Sequence, residues 1–278
     1  MNKIGVVTVN YRSLKYTLQF VEGIRKSIKD FLLIVVNNSP EDTQKLKEIE
    51  SKNVVLLNSE KNSGYSGGLN LGLKYLQKNT NCEWFLIGNN DVIIDDEFIS
   101  EIGKLTDKDT IYSPVIMNVG NDIVQNTGGD IGILYGGTIN VNKGKHISEI
   151  KKTQPDFLSG CFLYFHKNVL DKVGYFDESY ESYFEDVDFS MRAKKNGVKI
   201  EVVWDWKLRH YHSMSTKDNT GKKDFLIARN AIYFAKKDLN GIKKYLFIFF
   251  SILVGFFWVL PRPKNLPYFF RGVKEGLL

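Results

Sequence analysis

The stretch FLIGNNDVII, residues 85–94, decides how the rest of the chain is read. An apolar run stops at Asn89, Asn90 and Asp91 and resumes at once with Val92, Ile93 and Ile94. A surface loop does not need such tight apolar flanks, and a central strand does not tolerate the interruption. The pattern predicts a buried strand over Trp84–Ile87 that ends at a carboxylate. Working back toward the N-terminus, strands are expected at Ile4–Val9, Leu32–Val36 and Val54–Leu57. Helices are expected between them at Leu14–Ser27, Glu41–Glu50 and Ser66–Gln77, the last with Leu69, Leu73 and Leu76 on one face. Such alternation implies a mostly parallel sheet covered on both faces, in which ligands bind beyond the carboxyl ends of the strands. The polar residues gather there: Asn10 and Tyr11 after the first strand, Asn37, Asn38 and Ser39 after the second, NSEKNSGYSGGLN after the third and GNND after the fourth. All four ends are expected to face one crevice.

The chain of 278 residues can hold one large α/β domain with an appendage. Its net charge of +6 is mild, and the Lys and Arg residues are scattered. An anionic small molecule or an anionic lipid surface explains that balance, and no nucleic-acid partner is expected. Cys82 and Cys161 read as free buried thiols in a reducing cytoplasm. The N-terminal apolar run, roughly six residues, is shorter than a signal-peptide core and fits a first strand. From Met117 to Thr153 the periodicity fades, and Gly128-Gly129 and Gly136-Gly137 mark turns of a small β-rich insertion. The segment YLFIFFSILVGFFWVL, Tyr245 to Leu260, carries no charge and is bracketed by Lys243, Lys244 and PRPK. As a helix it measures roughly 24 Å, short of the ~30 Å hydrocarbon core, so it is expected to lie on or dip into the cytoplasmic leaflet. A core helix and a true span are the alternatives.

Several residues could carry chemistry. The glycines of NSGYSGGLNLG, residues 62–72, precede or open a helix, where backbone amides can bind phosphate, yet the spacing fits neither the dinucleotide fingerprint nor a Walker loop. A plain flexible turn reads equally well. Asp91 is suited to Mg²⁺ or Mn²⁺, and the simpler alternative is a cap on a helix starting near Asp95. YESYFEDVDFSMRAKKNG, residues 180–197, predicts a helix entered near Tyr183, with Phe184, Val187 and Met191 on one face and Glu185 and Asp186 beside that stripe. Asp188 and Arg192, four apart, read as a surface ion pair. His210 and His212 share a face of an extended segment and could complete a metal site.

The order of these pieces says more than any one of them. The series VTVNY, VVNNS, NSGYSGGLNLGL, LIGNNDV, FLSGCFL, GYFDESYESYFEDVDFSMRAKKNG, HYHSMS and ARNAIYF resembles the family 2 inverting glycosyltransferases of GT-A fold. It looks closest to the rhamnosyltransferase-like branch that builds bacterial surface polysaccharides, over roughly residues 3–235. The resemblance implies an enzyme moving a sugar, dTDP-rhamnose being the favoured donor, onto a lipid-linked or other saccharide acceptor. It implies a metal role for Asp91 with His210 or His212, of which His210 fits better because of its distance to Ser215. It implies that Asp186, with Glu185 beside it, is the catalytic base. Nucleotide and donor contacts fall on Thr8, Asn10, Tyr11, Asn37, Asn62, Gly64, Asn70, Asn89 and Asn90, and the donor-sugar pocket on Gly160.

Two departures from the family pattern stand out. Asn37 replaces an Asp that grips the base, and Asn89 replaces the first Asp of an Asp-x-Asp, so metal affinity without nucleotide should be weak. The expected division is a GT-A domain over 1–238, with a nucleotide-binding half to 116 and an acceptor and catalytic half from 117, then a membrane-associating segment over 239–278. A cytoplasmic protein held peripherally on the inner face of the cell membrane follows, with self-association left open. The rivals are a sugar-1-phosphate nucleotidyltransferase, for which VTVNYRSLKYT lacks the early Gly-rich basic loop, and a catalytically silent saccharide-binding or scaffold protein.

Overall fold

The structure, a computed structural model, describes residues 3–94, 102, 104–211 and 220–278. Strands β1 (Ile4–Asn10), β2 (Phe31–Asn37), β3 (Val54–Asn58) and β4 (Trp84–Gly88) form where the sequence runs apolar, and helices α1 (Leu14–Ser27), α2 (Thr43–Lys47) and α3 (Gly64–Asn79) connect them. The helix expected over Glu41–Glu50 is shorter, because Pro40–Asp42 forms a 3-10 turn ahead of α2. The chain continues through β5 (Val92–Ile93), β6 (Thr110–Asn118), β7 (Val124–Asn126), β8 (Gly129–Gly132), β9 (Gly137–Asn140), β10 (Phe162–His166), α4 (Asn168–Val173), α5 (Glu185–Lys195) and β11 (Lys199–His210). It ends in α6 (Thr220–Asp238), α7 (Gly241–Val259) and α8 (Leu266–Leu277). The helix start expected near Asp95, and His212, lie outside the described residues.

The main sheet runs β3-β2-β1-β4-β10-β6-β11-β5, with β7 added to β6. Pairing is parallel from β3 to β4 and between β6 and β11; β10 is antiparallel to both its neighbours and β5 is antiparallel to β11. Alternate side chains feed two cores. Val7, Val9, Ile34 and Val36 pack with Leu69, Leu73 and Leu76 of α3 on one face. Val6, Leu33 and Val35 pack with Phe20, Val21 and Ile24 of α1 on the other. Gly72 lets α3 lie close on β1, since a Cβ there would stand 2.4 Å from Val7 Cγ1. That glycine serves packing rather than a flexible turn.

The opening stretch now has a physical explanation. β4 and β5 sit far apart in the strand order yet are joined by residues 89–91 alone, a reach of at most roughly 14 Å. The sheet must therefore curl. The pairing of β11 with β6 is interrupted between Val203 and Lys207, which bends the end of β11 back over the end of β4. Val92 then pairs with His210, so the residue before it, Asp91, is delivered to the same place.

Candidate active site

Beyond the strand ends lies a cavity of about 740 Å³, lined on one side by Tyr11, Asn62, Gly64, Asn89, Asn90 and Asp91, and on the other by Gly160, Glu185, Asp186 and His210. Asp91 and Asp186 therefore converge on one space, as the resemblance requires. Tyr65 also lines it: burial raises its phenol well above the usual range, and Cys161, Glu185, Asp186 and Asp91 add to the effect.

Asp91, 4% exposed, meets His210 Nε2 through Oδ1 at 2.9 Å. Gln125 on β7 fixes the ring. Its Nε2 donates to the His210 carbonyl at 2.7 Å, so its Oε1, 2.9 Å from Nδ1, must accept from an Nδ1–H. Nε2 is thereby the nitrogen turned toward Asp91. Burial opposes charge on this imidazole, but Cys161 and the Asp91 carboxylate outweigh it and raise its pKa to about 10. Nε2–H of the charged ring therefore donates directly to the Asp91 carboxylate, and the pair would fit a divalent cation, with remaining oxygens from a diphosphate, only once Nε2 gives up that proton. No cluster of three or more His, Cys, Asp or Glu side chains able to hold a metal occurs among the described residues.

The acid pair opens α5. Asp186 is fixed at both oxygens, Oδ2 accepting from Gly160 N at 2.8 Å and Oδ1 from Val187 N at 2.9 Å. The Gly160 carbonyl in turn accepts from Tyr65 Oη at 2.9 Å. Burial pushes the Asp186 carboxyl above the usual range. Glu185 is also raised, by burial first and by Asp186 next, and its buried Oε2 has no hydrogen-bond partner among the described residues. The turn ahead of the pair is strained: Glu181, Tyr183 and Phe184 have φ of 61°, 68° and 73°.

What holds that turn was not read from the sequence. Asn230 on α6 donates from Nδ2 to the carbonyls of Tyr180, Ser182 and Tyr183, each at 2.8 Å, and Arg229 bonds the carbonyls of Ser179 and Tyr180. Both residues lie in the ARNAIYF stretch of the family pattern. Asp188 and Arg192 are not the surface pair that their spacing suggests. Asp188 is fully buried, with Arg192 Nε at 2.7 Å and Lys237 Nζ at 2.6 Å, so this is an internal ionic tie between α5 and α6 and not a surface pair.

Other expected contacts divide sharply. Tyr11, Asn62, Gly64, Asn89, Asn90 and Gly160 line the cavity. Thr8, Asn10, Asn37 and Asn70 are not among its lining residues, and their polar atoms are engaged within the protein. Thr8 Oγ1 donates to the Gly88 carbonyl at 2.8 Å. Asn10 Nδ2 donates to Asn37 Oδ1 and Asp42 Oδ2, and Asn37 Nδ2 to Thr43 and Asn58. Asn70 is bonded to both backbone groups of Phe176 and to Glu178. The start of α3 is likewise no phosphate cradle at its first amides. Gly64 N donates to Asn62 Oδ1, and Tyr65 N and Ser66 N both donate to the Glu181 carbonyl. Cys82 and Cys161 are free and buried, as expected, with Cys161 in the cavity wall.

Known proteins with similar sequences and folds point the same way. The sequence profile of the family described as "Glycosyl transferase family 2" matches residues 5–174. The low-salt glycan biosynthesis hexosyltransferase Agl10 of Haloferax volcanii is 26% identical over 206 residues, covering 72% of this chain and 64% of its own length, so this chain spans less than two thirds of that relative. S. aureus TarS 1-349 in complex with UDP-GlcNAc aligns with a TM-score of 0.62 at 19% identity, over 99% of this chain and 80% of that one. A mannosyltransferase of Pyrobaculum calidifontis in complex with GDP-Man and Mn2+ aligns with a TM-score of 0.59 at 12% identity, over 99% and 87%. At such identities the two structures establish the shared GT-A fold.

Proposed function

Because the chain belongs to glycosyl transferase family 2, we propose that it transfers a sugar from a nucleotide-diphosphate donor to a hydroxyl of a glycan acceptor, inverting the anomeric carbon. The observation that carries this reading is the shared cavity of Asp91 and Asp186, two buried-edge carboxylates brought together from distant parts of the chain. Its size suits a nucleotide sugar. The β1–β5 side is the nucleotide half, and the wall built from residues 117–238 is the acceptor half.

The residues divide the chemistry between them. A divalent cation, Mg²⁺ or Mn²⁺, held by Asp91 and His210 would offset the charge that builds on the departing diphosphate. Asp186 acts on the opposite side. An acceptor hydroxyl is far too weak an acid to be ionised beforehand, so Asp186 takes its proton as the oxygen bonds to the anomeric carbon and the bond to the diphosphate breaks. Amide donors at both oxygens hold the carboxylate in one orientation, and its raised pKa makes it a better base. The protonated Asp186 then needs only to release that proton to water.

The finer reading is dTDP-rhamnose as donor, supported by resemblance alone, and a lipid-linked saccharide acceptor at the cytoplasmic face of the membrane. α7 supports the second point. It is long and apolar enough to cross a membrane, and within it only Phe247, Ser251 and Val259 are buried, while Tyr245, Phe249, Phe257 and Trp258 are each more than half exposed. We read it as lying in the leaflet interface. A thermal-shift screen of dTDP-rhamnose, UDP-galactose, UDP-GlcNAc and GDP-mannose, with and without Mn²⁺, tests the donor. One nucleotide sugar should raise the Tm well above the rest, and only with the cation. No shift from any of them, together with Asp186→Asn behaving as wild type in a transfer assay, would leave a silent scaffold as the better reading.

A further inference from the structure

The β8–β9 hairpin joins the cavity to the apolar helix α7. At its inner end Thr138 and Asn140 line the cavity on the acceptor side. At its tip the 3-10 turn Ile133–Tyr135 leaves Leu134 66% and Tyr135 62% exposed, although both are large apolar side chains. The tip is tied down on α7. Ile131 and Ile133 pack in the cluster that contains Phe247 and Ile248. Gly136, at φ 59°, sits so close that a Cβ would lie 1.9 Å from Ser251 N and 2.2 Å from Phe250 C. Only a glycine permits this backbone-to-backbone contact, and it fixes the exposed tip beside the exposed face of α7.

The surroundings say what covers that face. From residue 241 onward the chain carries Lys243, Lys244, Arg262, Lys264, Arg271 and Lys274 against one acid, Glu275. Aromatic residues stand at the rims of the apolar stretch, Tyr245 at one end of α7 and Trp258 at the other, with Tyr268 on α8. Amphipathic aromatics and basic side chains flanking an apolar surface are the chemistry of an anionic lipid interface. A second protein copy would not call for this basic excess.

We propose that the tip formed by Leu134 and Tyr135 enters the lipid interface together with α7, so that the acceptor wall of the cavity is seated on the leaflet. The inference rests on the membrane reading of α7 given above and adds to it a second contact, one continuous with the active site. It assigns the acceptor class: molecules whose lipid anchor stays in the membrane while the glycan end rises along β8 and β9 to Asp186.

Depth-dependent quenching of tryptophan fluorescence by brominated lipids, in vesicles of phosphatidylcholine and phosphatidylglycerol at about 3:1, tests this on the full chain. The natural Trp258 reports on α7, and a Tyr135→Trp change in a Trp258→Phe background reports on the tip. The Trp258→Phe protein supplies the signal of Trp84, Trp204 and Trp206 for subtraction. Quenching at both positions is expected. Quenching of Trp258 with none in the Tyr135→Trp variant overturns the hairpin contact and leaves the membrane reading intact. Quenching at neither, with a dimer in sedimentation, overturns both and assigns the apolar face to a second copy. Leu134→Asp combined with Tyr135→Asp should weaken vesicle binding about tenfold or more at unchanged Tm. Unchanged vesicle binding by that folded variant would also sink the proposal.

Discussion

On the β1–β3 side, Asn10, Asn37 and Asn58 stand in one row across three parallel strands, and their amides bond to one another and to Asp42 and Thr43. On the α5 side, buried Glu185 and half-buried Asp186 are carboxyls held above their usual pKa, and Glu185 keeps a buried oxygen with no hydrogen-bond partner among the described residues. Both regions look alike in sequence, as polar residues at the ends of apolar runs. Their physics differs. The amide row satisfies itself and is architecture, whereas the acid pair is kept in a state that costs stability, which persists where chemistry needs it. The contrast can be attacked from either side.

The largest effect belongs to Asp186→Asn. Transfer should fall by roughly 10²–10⁴-fold, the usual worth of a positioned general base, while donor binding and Tm hold. Steady-state kinetics beside a donor thermal shift would check it. A loss of donor binding equal to the loss of rate would show that Asp186 grips the donor and does not act on the acceptor.

Asn230→Ala comes next. It strands three carbonyls of a turn already strained at Glu181, Tyr183 and Phe184, so a stability loss of roughly 2–3 kcal/mol is expected in denaturant unfolding. Folded Asn230→Ala should also show a kcat lowered about tenfold with little change in donor KM, because the acid pair loses its placement. Tm and kcat unchanged together would remove α6 from the account of the site.

These two residues also show where sequence reading stops. Asp91 and Asp186 were legible because strand ends and helix starts leave local patterns, and the GT-A order of the pieces placed them in one crevice. The apolar character of 245–260 was legible for the same reason. Asn230 was not, since its partners lie about fifty residues away and nothing local marks an amide that serves three distant carbonyls. Asp188 was misread because an i,i+4 acid-base spacing is the same on a wet helix face and in the buried seam where Lys237 completes it. Gln125, which sets the tautomer of His210, sits in the insertion whose pairing the sequence did not reveal. Family position sets Asn10, Asn37 and Asn70 against the nucleotide, yet cross-strand register gives Asn10 and Asn37 partners inside the protein, and Asn70 on α3 bonds Phe176 and Glu178.

Asn37→Ala sharpens the other half of the contrast. It removes partners from Asn10, Ser39, Thr43 and Asn58, and should cost about 1–3 kcal/mol of stability. Donor KM of the folded variant should move less than about threefold. A KM rise of tenfold or more at unchanged Tm would make the amide row part of the nucleotide site after all.

The smallest effect, Glu185→Gln, bears directly on why the acid pair is there. Burial, then Asp186, raises the Glu185 carboxyl above its unfolded value, so the ionised form is disfavoured in the folded protein. Below the unfolded pKa of about 4.3 the group is protonated in both states and costs nothing. As the pH climbs from there toward the raised folded value of about 8, the unfolded chain ionises while the folded one resists, and stability is lost until the folded group ionises too. Glu185→Gln removes that loss. Its Tm should match wild type near the unfolded pKa and exceed it by roughly 2 °C well above neutrality, with the gap opening between. Scanning calorimetry across that range reads it out. A variant less stable than wild type at high pH would mean that ionised Glu185 has a partner strong enough to offset its burial, and the acid pair would then be as self-satisfied as the amide row opposite.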